Sequence, residues 1–398
     1  MNARIIAASL AVCAVSAATP ASAQDALDTW TVPSEPRFAI GGADARDGYR
    51  LAQVNGAALL SDGRLVVADG RTAELRYYSP EGEHLRSSPP EWGAAVVAST
   101  HGGAPEAVWR LDGIVALPGD TVLASYVSDR HAWWGPDGSL ARSVRVAPGT
   151  SRPDLHCRGS GNAWHALADG SLLRVHGESP SYARCSPPRA ALWRESVLLS
   201  RTDLATARFD TLGIVPGSEW HTPFERVFGA TLQFTWDSSS VFVSDTGSPE
   251  IVRLSFDGDT LAVWSTPFEL EPVPAEARQR EYREFDRGGA MERSNAYLYP
   301  DHYPRLGRLL MGRTGELWVM AYPRSLEPVR SRRLSYRPEP TIEPGGARWR
   351  VLDASGEPIA EVRTPDGVFP LEVGHDHLIG LLRDDSGRET VAVYDLVR

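Results

Sequence analysis

The chain is dominated by a recurring unit in which an apolar strand enters a tight turn and returns as a second apolar strand. The clearest copies are 54–69 and 241–247, and each is followed by a second hairpin, at 75–82 and 251–258. Gly and Asp occupy the turns, where a positive φ or a turn-closing side chain is needed. A repeated four-stranded unit of this kind cannot bury its faces alone, so successive units must stack on one another.

Six inner hairpin turns divide the chain into six such units. They lie at 61–63, 118–120, 168–170, 237–239, 313–315 and 374–376. Outer turns follow at 81–82, 137–138, 257–258 and 355–356, with a longer-stranded variant at 203–206. This pattern predicts an all-β fold, a six-bladed β-propeller of four-stranded antiparallel blades. Because propellers host many unrelated functions, the fold alone predicts no activity.

The sixth unit lacks an outermost strand of its own. Only Arg398 follows the segment 391–397, whereas the segment 36–41 precedes the first complete unit without a partner. Phe38 and Ile40 alternate as in a half-buried strand. Pairing of 36–41 with 391–396 would complete the sixth blade and remove an exposed edge. We therefore predict a ring closed by an N-terminal strand, with a frayed tail as the alternative.

Residues 1–23 have the features of a signal peptide. Arg4 is followed by an apolar stretch, 5–18, and Ala21-Ser22-Ala23 forms a small-residue cleavage site. We expect 24–398 to be the mature propeller, exported to the periplasm or the extracellular space, soluble and without a membrane span. Export removes Arg4 and changes the formal net charge from −10 to −11. That charge disfavours nucleic-acid binding, and we expect a monomer.

Two cysteines, Cys157 and Cys185, remain after this cleavage. An even number in an oxidising compartment predicts one disulfide. Cys157 lies in the connection that enters blade three and Cys185 in the long loop of that blade, so the two can meet on one face. A redox or metal pair is the alternative, but the 27 intervening residues give no CxxC geometry.

The blade motif resembles the six-bladed propellers of the NHL and TolB-like group. The matching segments are Asp62 to Asp69, Leu75 to Tyr78 and Glu81-Gly82. The N-terminal closing strand, the strand Gly315 to Val319 and the short C-terminal end are similar to those of exported bacterial six-bladed propeller proteins. The resemblance covers about residues 30–398 and implies the fold, but it implies no particular activity.

The long insertions are predicted to share one face of the propeller. With strands A to D running outward from the axis, the A–B and C–D turns are short. The insertions 177–191, 267–305 and 324–346 fall in B–C or D–A connections, on the opposite face. Long loops are often functional. Residues 275–287 lack Gly and Pro and have mixed charges three and four apart, which predicts a short helical insertion.

Arginines and histidines on that face are the candidate ligand-binding residues. The blade-five insertion carries Arg324, Arg330, Arg332, Arg333 and Arg337, which suit a carboxylate, sulfate or phosphate. We predict that Arg324, Arg330, Arg332 and Arg333 reach over the tunnel mouth and that Arg71, Arg130 and His176 line it. A solvated loop is the alternative. The favoured function is a binding module for an unknown ligand or protein partner, without a cofactor or catalytic residues.

The rival class is a metal-dependent hydrolase or lyase on the same face. Some propellers of the NHL type hold a metal with histidines, and lactonase-type propellers hold calcium. Here His101, His131, His156, His176, His221 and His302 lie in or beside the connections of this face. Their spacing matches no compact metal motif, so calcium or zinc belongs only to this alternative. Asp69, Asp129 and Asp245 end B strands, where a turn-capping role is favoured over a ring of carboxylates.

Overall fold

The structure is a computed structural model. It describes residues 27–42, 45–88, 96–97, 106–107, 111–126, 130–145, 158–167, 169–178, 192–204, 206, 208–221, 224–226, 228–278, 300–324, 345–384 and 386–398. Cys157, Cys185, Arg330, Arg332 and Arg333 lie outside these ranges.

The described strands form six sheets of four or five strands, one for each predicted blade. Strands β1 (Asp28–Thr31) and β2 (Phe38–Gly41) precede the first blade. Blade one contains β3 (Val54–Leu59), β4 (Leu65–Asp69), β5 (Glu74–Tyr78) and β6 (His84–Ser88). A small pair, β7 (Val96–Val97) and β8 (Glu106–Ala107), leads to blade two: β9 (Leu111–Ala116), β10 (Val122–Tyr126), β11 (Arg130–Trp134) and β12 (Leu140–Arg145).

The remaining blades follow the same order. Blade three contains β13 (Arg158–Ala166), β14 (Leu172–Glu178), β15 (Leu192–Thr202) and β16 (Phe209–His221), with β17 (Phe224–Glu225) at its edge. Blade four contains β18 (Leu232–Trp236), β19 (Ser240–Asp245), β20 (Glu250–Ser255) and β21 (Thr260–Ser265). Blade five contains β22 (Leu306–Met311), β23 (Leu317–Ala321), β24 (Arg348–Leu352) and β25 (Pro358–Arg363). Blade six contains β26 (Phe369–Val373), β27 (His377–Arg383) and β28 (Glu389–Asp395).

The six-bladed propeller prediction is confirmed. The first strands of neighbouring blades lie against one another, as in β3 with β9, β18 with β22 and β26 with β3. The core lies between blades, because the second strands are buried on both faces while the outer strands are exposed on one. β4 is buried along its whole length, whereas β6 has a single buried residue, Ser88. All six inner turns predicted from the sequence join strands A and B of their blades.

An N-terminal strand closes the ring, as the sequence predicts. β2 pairs antiparallel with β28, with Phe38 opposite Val393 and Ile40 opposite Val391. Ile40 is buried among residues of blades six and one. Gly41 adopts φ 109°, and a Cβ there would meet the Glu389 carbonyl oxygen at 2.3 Å. The closing strand therefore ends at a residue that only glycine accommodates without strain.

A second N-terminal strand was not predicted. β1 pairs in parallel with β25 and adds a fifth strand to blade five. Trp30 of β1 is buried, with its ring centroid 6.0 Å from that of Trp318. Thr31 and Val397 exchange backbone hydrogen bonds of 2.8 and 2.9 Å, so the N-terminal segment also fixes the C-terminal end.

The strand order assigns the long connections as the sequence suggests. β14–β15 and β23–β24 are B–C connections, and β21–β22 is a D–A connection. Residues 275–278, the described part of the predicted helix, are helical. Among the described residues, no helix is long and apolar enough to cross a membrane.

Candidate functional site

A small, half-open cleft lies between blades four and five, where the D–A connection before blade five meets the B–C connection within it. Its lining comes from the β21–β22 connection, the end of β23 and the start of β24. The lining residues include Phe268, Glu271, Tyr303, Arg305, Tyr322, Arg324 and Arg348. These segments flank the first three strands of blade five. The sheet of that blade therefore brings together lining residues that are far apart in the sequence.

Aromatic rings form one part of the cleft. Tyr303 stacks on Tyr322 with centroids 5.9 Å apart and an angle of 27° between the rings, and Phe228 packs edge-on against Tyr303 at 4.9 Å. Phe268 is buried and lies under Arg348, whose Cζ atom is 5.4 Å from the ring centroid. Tyr303 and Phe268 are buried and build the wall of the cleft, whereas the half-buried ring of Tyr322 can contact the planar or apolar part of a ligand.

Arginines form the other part of the cleft. Arg324 pairs with Glu271, and Arg305 donates from Nη1 to the Phe268 carbonyl oxygen at 3.2 Å. Within the described ranges, neither Arg305 nor Arg348 forms an ion pair. Glu269 also lines the cleft, so three guanidinium groups face two carboxylates. The remaining excess of one positive charge favours an anion.

Two arginines of the opposite face, Arg37 and Arg313, have carboxylate partners. Arg313, in the A–B turn of blade five, donates to Glu372 at 2.7 Å. Glu372 also accepts from the Leu59 backbone N–H at 3.3 Å and lies 3.4 Å from Nε2 of His377. Arg37 pairs with Asp376 at 3.3 Å. These interactions connect blades five, six and one, so their role is structural.

The predicted site residues lie in four different blades. Arg71 is exposed in the β4–β5 connection of blade one. Arg130 begins β11 in blade two and stands opposite Arg145 in the register. His176 of β14 is only 5% exposed, with Nε2 3.2 Å from the Ser200 hydroxyl. Among the four predicted ligand-binding residues that the structure describes, Arg324 alone lines the cleft.

Several predictions concern residues outside the described ranges. The tunnel-mouth roles of Arg330, Arg332 and Arg333 and the Cys157–Cys185 disulfide stay predictions for that reason. The described ranges contain no group of three or more His, Cys, Asp or Glu residues that could hold a metal ion.

The capping role predicted for two strand-end aspartates is confirmed. Asp69 accepts hydrogen bonds from the backbone N–H groups of Arg71 at 3.2 Å and Thr72 at 3.4 Å. Its carboxylate also lies 3.2 Å from Arg76. Asp245 accepts from the Gly247 N–H at 3.0 Å. These carboxylates therefore hold the B–C turns that follow them.

Sequence reasoning missed Arg305, Arg348, Tyr303 and Tyr322. All four lie at or next to the limits of the predicted insertions 267–305 and 324–346, where strands resume. Aromatic residues and arginines at the strand ends that flank the insertions could have indicated this site, because the sheet fixes the position of residues there. Our prediction concentrated instead on the arginines inside the second insertion.

No known family model matches the chain, and no curated protein matches it either. Among solved structures, a member of the DUF4221 family from Bacteroides vulgatus superposes with a TM-score of 0.50 at 11% identity, covering 93% of this chain and 99% of that one. The likeness shows the fold alone. The NHL and TolB-like resemblance is consistent with it.

Two further structures are similar at a greater distance. Regucalcin, a calcium-binding protein from Agrobacterium tumefaciens, gives a TM-score of 0.43 at 11% identity, covering 93% of this chain and 96% of that one. A virginiamycin B lyase from Staphylococcus aureus gives 0.38 at 8% identity, covering 87% and 95%. Likenesses this distant support no inference about calcium or lyase chemistry here.

Proposed function

We propose that this protein is an exported binding module, in the periplasm or outside the cell, that takes an anionic ligand into the cleft between blades four and five. The observation that carries the proposal is the lining of that cleft, in which Arg305 and Arg348 form no ion pair with a described residue and lie beside stacked tyrosines. The 324–346 insertion begins at the same cleft with Arg324. Its other arginines, Arg330, Arg332, Arg333 and Arg337, would add to the positive charge.

The contrast between the two faces supports this proposal. On the tight-turn face, Arg37 and Arg313 have carboxylate partners at 3.3 and 2.7 Å. On the cleft face, only Arg324 of the three lining arginines has a described carboxylate partner. An arginine that already holds a carboxylate has less to offer a ligand, so Arg305 and Arg348 are the lining arginines available to one.

Calorimetric titration with phenyl phosphate tests the proposal. The phosphate matches the guanidinium groups, and the phenyl ring matches the half-buried ring of Tyr322. Arg348→Glu should weaken binding by about tenfold or more, since charge-assisted hydrogen bonds contribute roughly 1.5–3 kcal/mol. The double variant Arg332→Glu, Arg333→Glu should also weaken binding and flatten its dependence on salt.

Arg142→Glu provides the matched control. Arg142 also lies over an aromatic ring, with Cζ 3.7 Å from the Trp133 centroid, but on the outer strand of blade two. It changes the net charge equally and should leave binding intact. Phenyl phosphate binding that is absent, or equal in Arg348→Glu and the natural protein, removes the cleft from the proposal. Stoichiometric calcium or zinc in the purified protein would instead favour the metal-enzyme alternative.

A further inference from the structure

The innermost strand of blade five carries an arginine that faces blade six. Arg308 of β22 donates from Nη1 to the Pro370 carbonyl oxygen at 2.5 Å. Its Cζ atom lies 4.0 Å from the centroid of the Phe369 ring. Phe369 and Pro370 begin β26, the innermost strand of blade six. Arg308 therefore lies between the innermost strands of blades five and six, near the residues at which both strands begin. It faces blade six, whereas the other cleft lies between blades four and five.

Arg308 has no counter-ion in the described part of the chain. Arg313, five residues later, pairs with Glu372 at 2.7 Å, and Arg350 of the same blade pairs with Glu361 at 2.6 Å. Desolvation by the surrounding protein lowers the pKa of Arg308 to about 10. A desolvated guanidinium without a carboxylate partner is less stable than one that forms an ion pair. Binding of an anion would offset that cost.

The free part of the guanidinium has a defined shape. Nη1 is bonded to Pro370, whereas Nε and Nη2 have no hydrogen-bond partner among the described residues. Arg308 is half-buried and neither of these two nitrogens is fully buried, so a small solute can reach them. The Phe369 ring restricts the plane of the guanidinium. The two remaining parallel N–H groups form the edge that matches a carboxylate in bidentate fashion.

We propose that Arg308 binds the carboxylate of a small molecule at the inner end of the interface between blades five and six. This site is additional to the blade four–five cleft and does not depend on it. A purely structural role, joining the blades through the Pro370 carbonyl, is the competing account. That role predicts a stability change on mutation but no saturable carboxylate binding.

The test is an NMR titration of the full mature protein with ¹³C-acetate at constant ionic strength. We expect saturable binding, weakened by about tenfold or more in Arg308→Gln because two charge-assisted hydrogen bonds are lost. Arg308→Lys keeps the charge but not the planar fork and should weaken binding by roughly threefold or more. If Arg308→Gln does not fold, judged by the loss of cooperative melting, Arg308→Lys carries the test.

Two control variants and a second anion complete the design. Arg142→Gln removes the same charge from an arginine that also lies over a ring, and it should bind acetate normally. Arg86→Gln, on the outer strand of blade one, removes an arginine that also donates to a backbone carbonyl oxygen, that of Asp137, and should likewise retain acetate binding. Phenyl phosphate binding should be unchanged in Arg308→Gln, which separates this proposal from the proposed function. Absent saturable binding, normal affinity in Arg308→Lys, or an equal loss in either control overturns the proposal. Tighter Arg308-dependent binding of sulfate than acetate overturns the carboxylate assignment.

Discussion

Replacement of Ile40 by alanine tests whether the N-terminal strand closes the ring. Ile40 is 1% exposed and packs in a cluster whose members come from both blades six and one, among them Val391, Leu65 and Tyr78. Truncating a buried isoleucine to alanine costs about 2–5 kcal/mol, since the transfer free energy is lost and a cavity remains. With an unfolding entropy of roughly 2.1 cal/mol/K per residue, this corresponds to a fall in Tm of about 3–6 °C.

Differential scanning calorimetry of the mature protein measures this change. Ala39→Ser is the matched control, because Ala39 is exposed on the same strand and should shift stability by about 0.5 kcal/mol or less. Deletion of residues 36–41 is the stronger perturbation. It should expose the edge of β28 and lower Tm by several degrees or cause aggregation. An unchanged Tm in both Ile40→Ala and the deletion variant would refute closure by β2.

Two further predictions concern the disulfide and the pH dependence of folding. Mass analysis of the unreduced exported protein should find Cys157 linked to Cys185, and two free thiols would contradict the pairing. The double variant Cys157→Ala, Cys185→Ala should lose roughly 3 kcal/mol of stability. Burial, with a contribution from Arg174, lowers the pKa of His131 to about 3, so the unfolded chain binds this proton first as the pH falls below about 6.5. The free energy of unfolding should therefore decrease by about 2 kcal/mol between pH 7.5 and pH 5 through this group. Denaturant titrations of His131→Gln should show a correspondingly smaller decrease, and identical pH profiles would exclude His131 as the source.

Some features of the fold could be predicted because their causes are local. The inner turns, such as Asp62-Gly63, combine an aspartate that accepts from the backbone with a glycine at φ 85°. Alternation of apolar residues with period two then gives the strands on either side, and six turns give six blades. The closing strand was predictable as well, since Phe38 and Ile40 alternate and the sixth blade needs one more strand.

The tertiary structure alone decided the features that depend on distant partners. β1 has no turn signal of its own, and its position depends on Trp30 packing against Trp318 and on a parallel pairing with residues more than 300 positions away. The charge of the candidate sites is decided in the same way. Arg324 meets Glu271, whereas Arg308 meets a carbonyl oxygen and an aromatic ring. Sequence shows where the arginines are, but only the packing of blades determines which of them receive a carboxylate, because the partners come from separate strands.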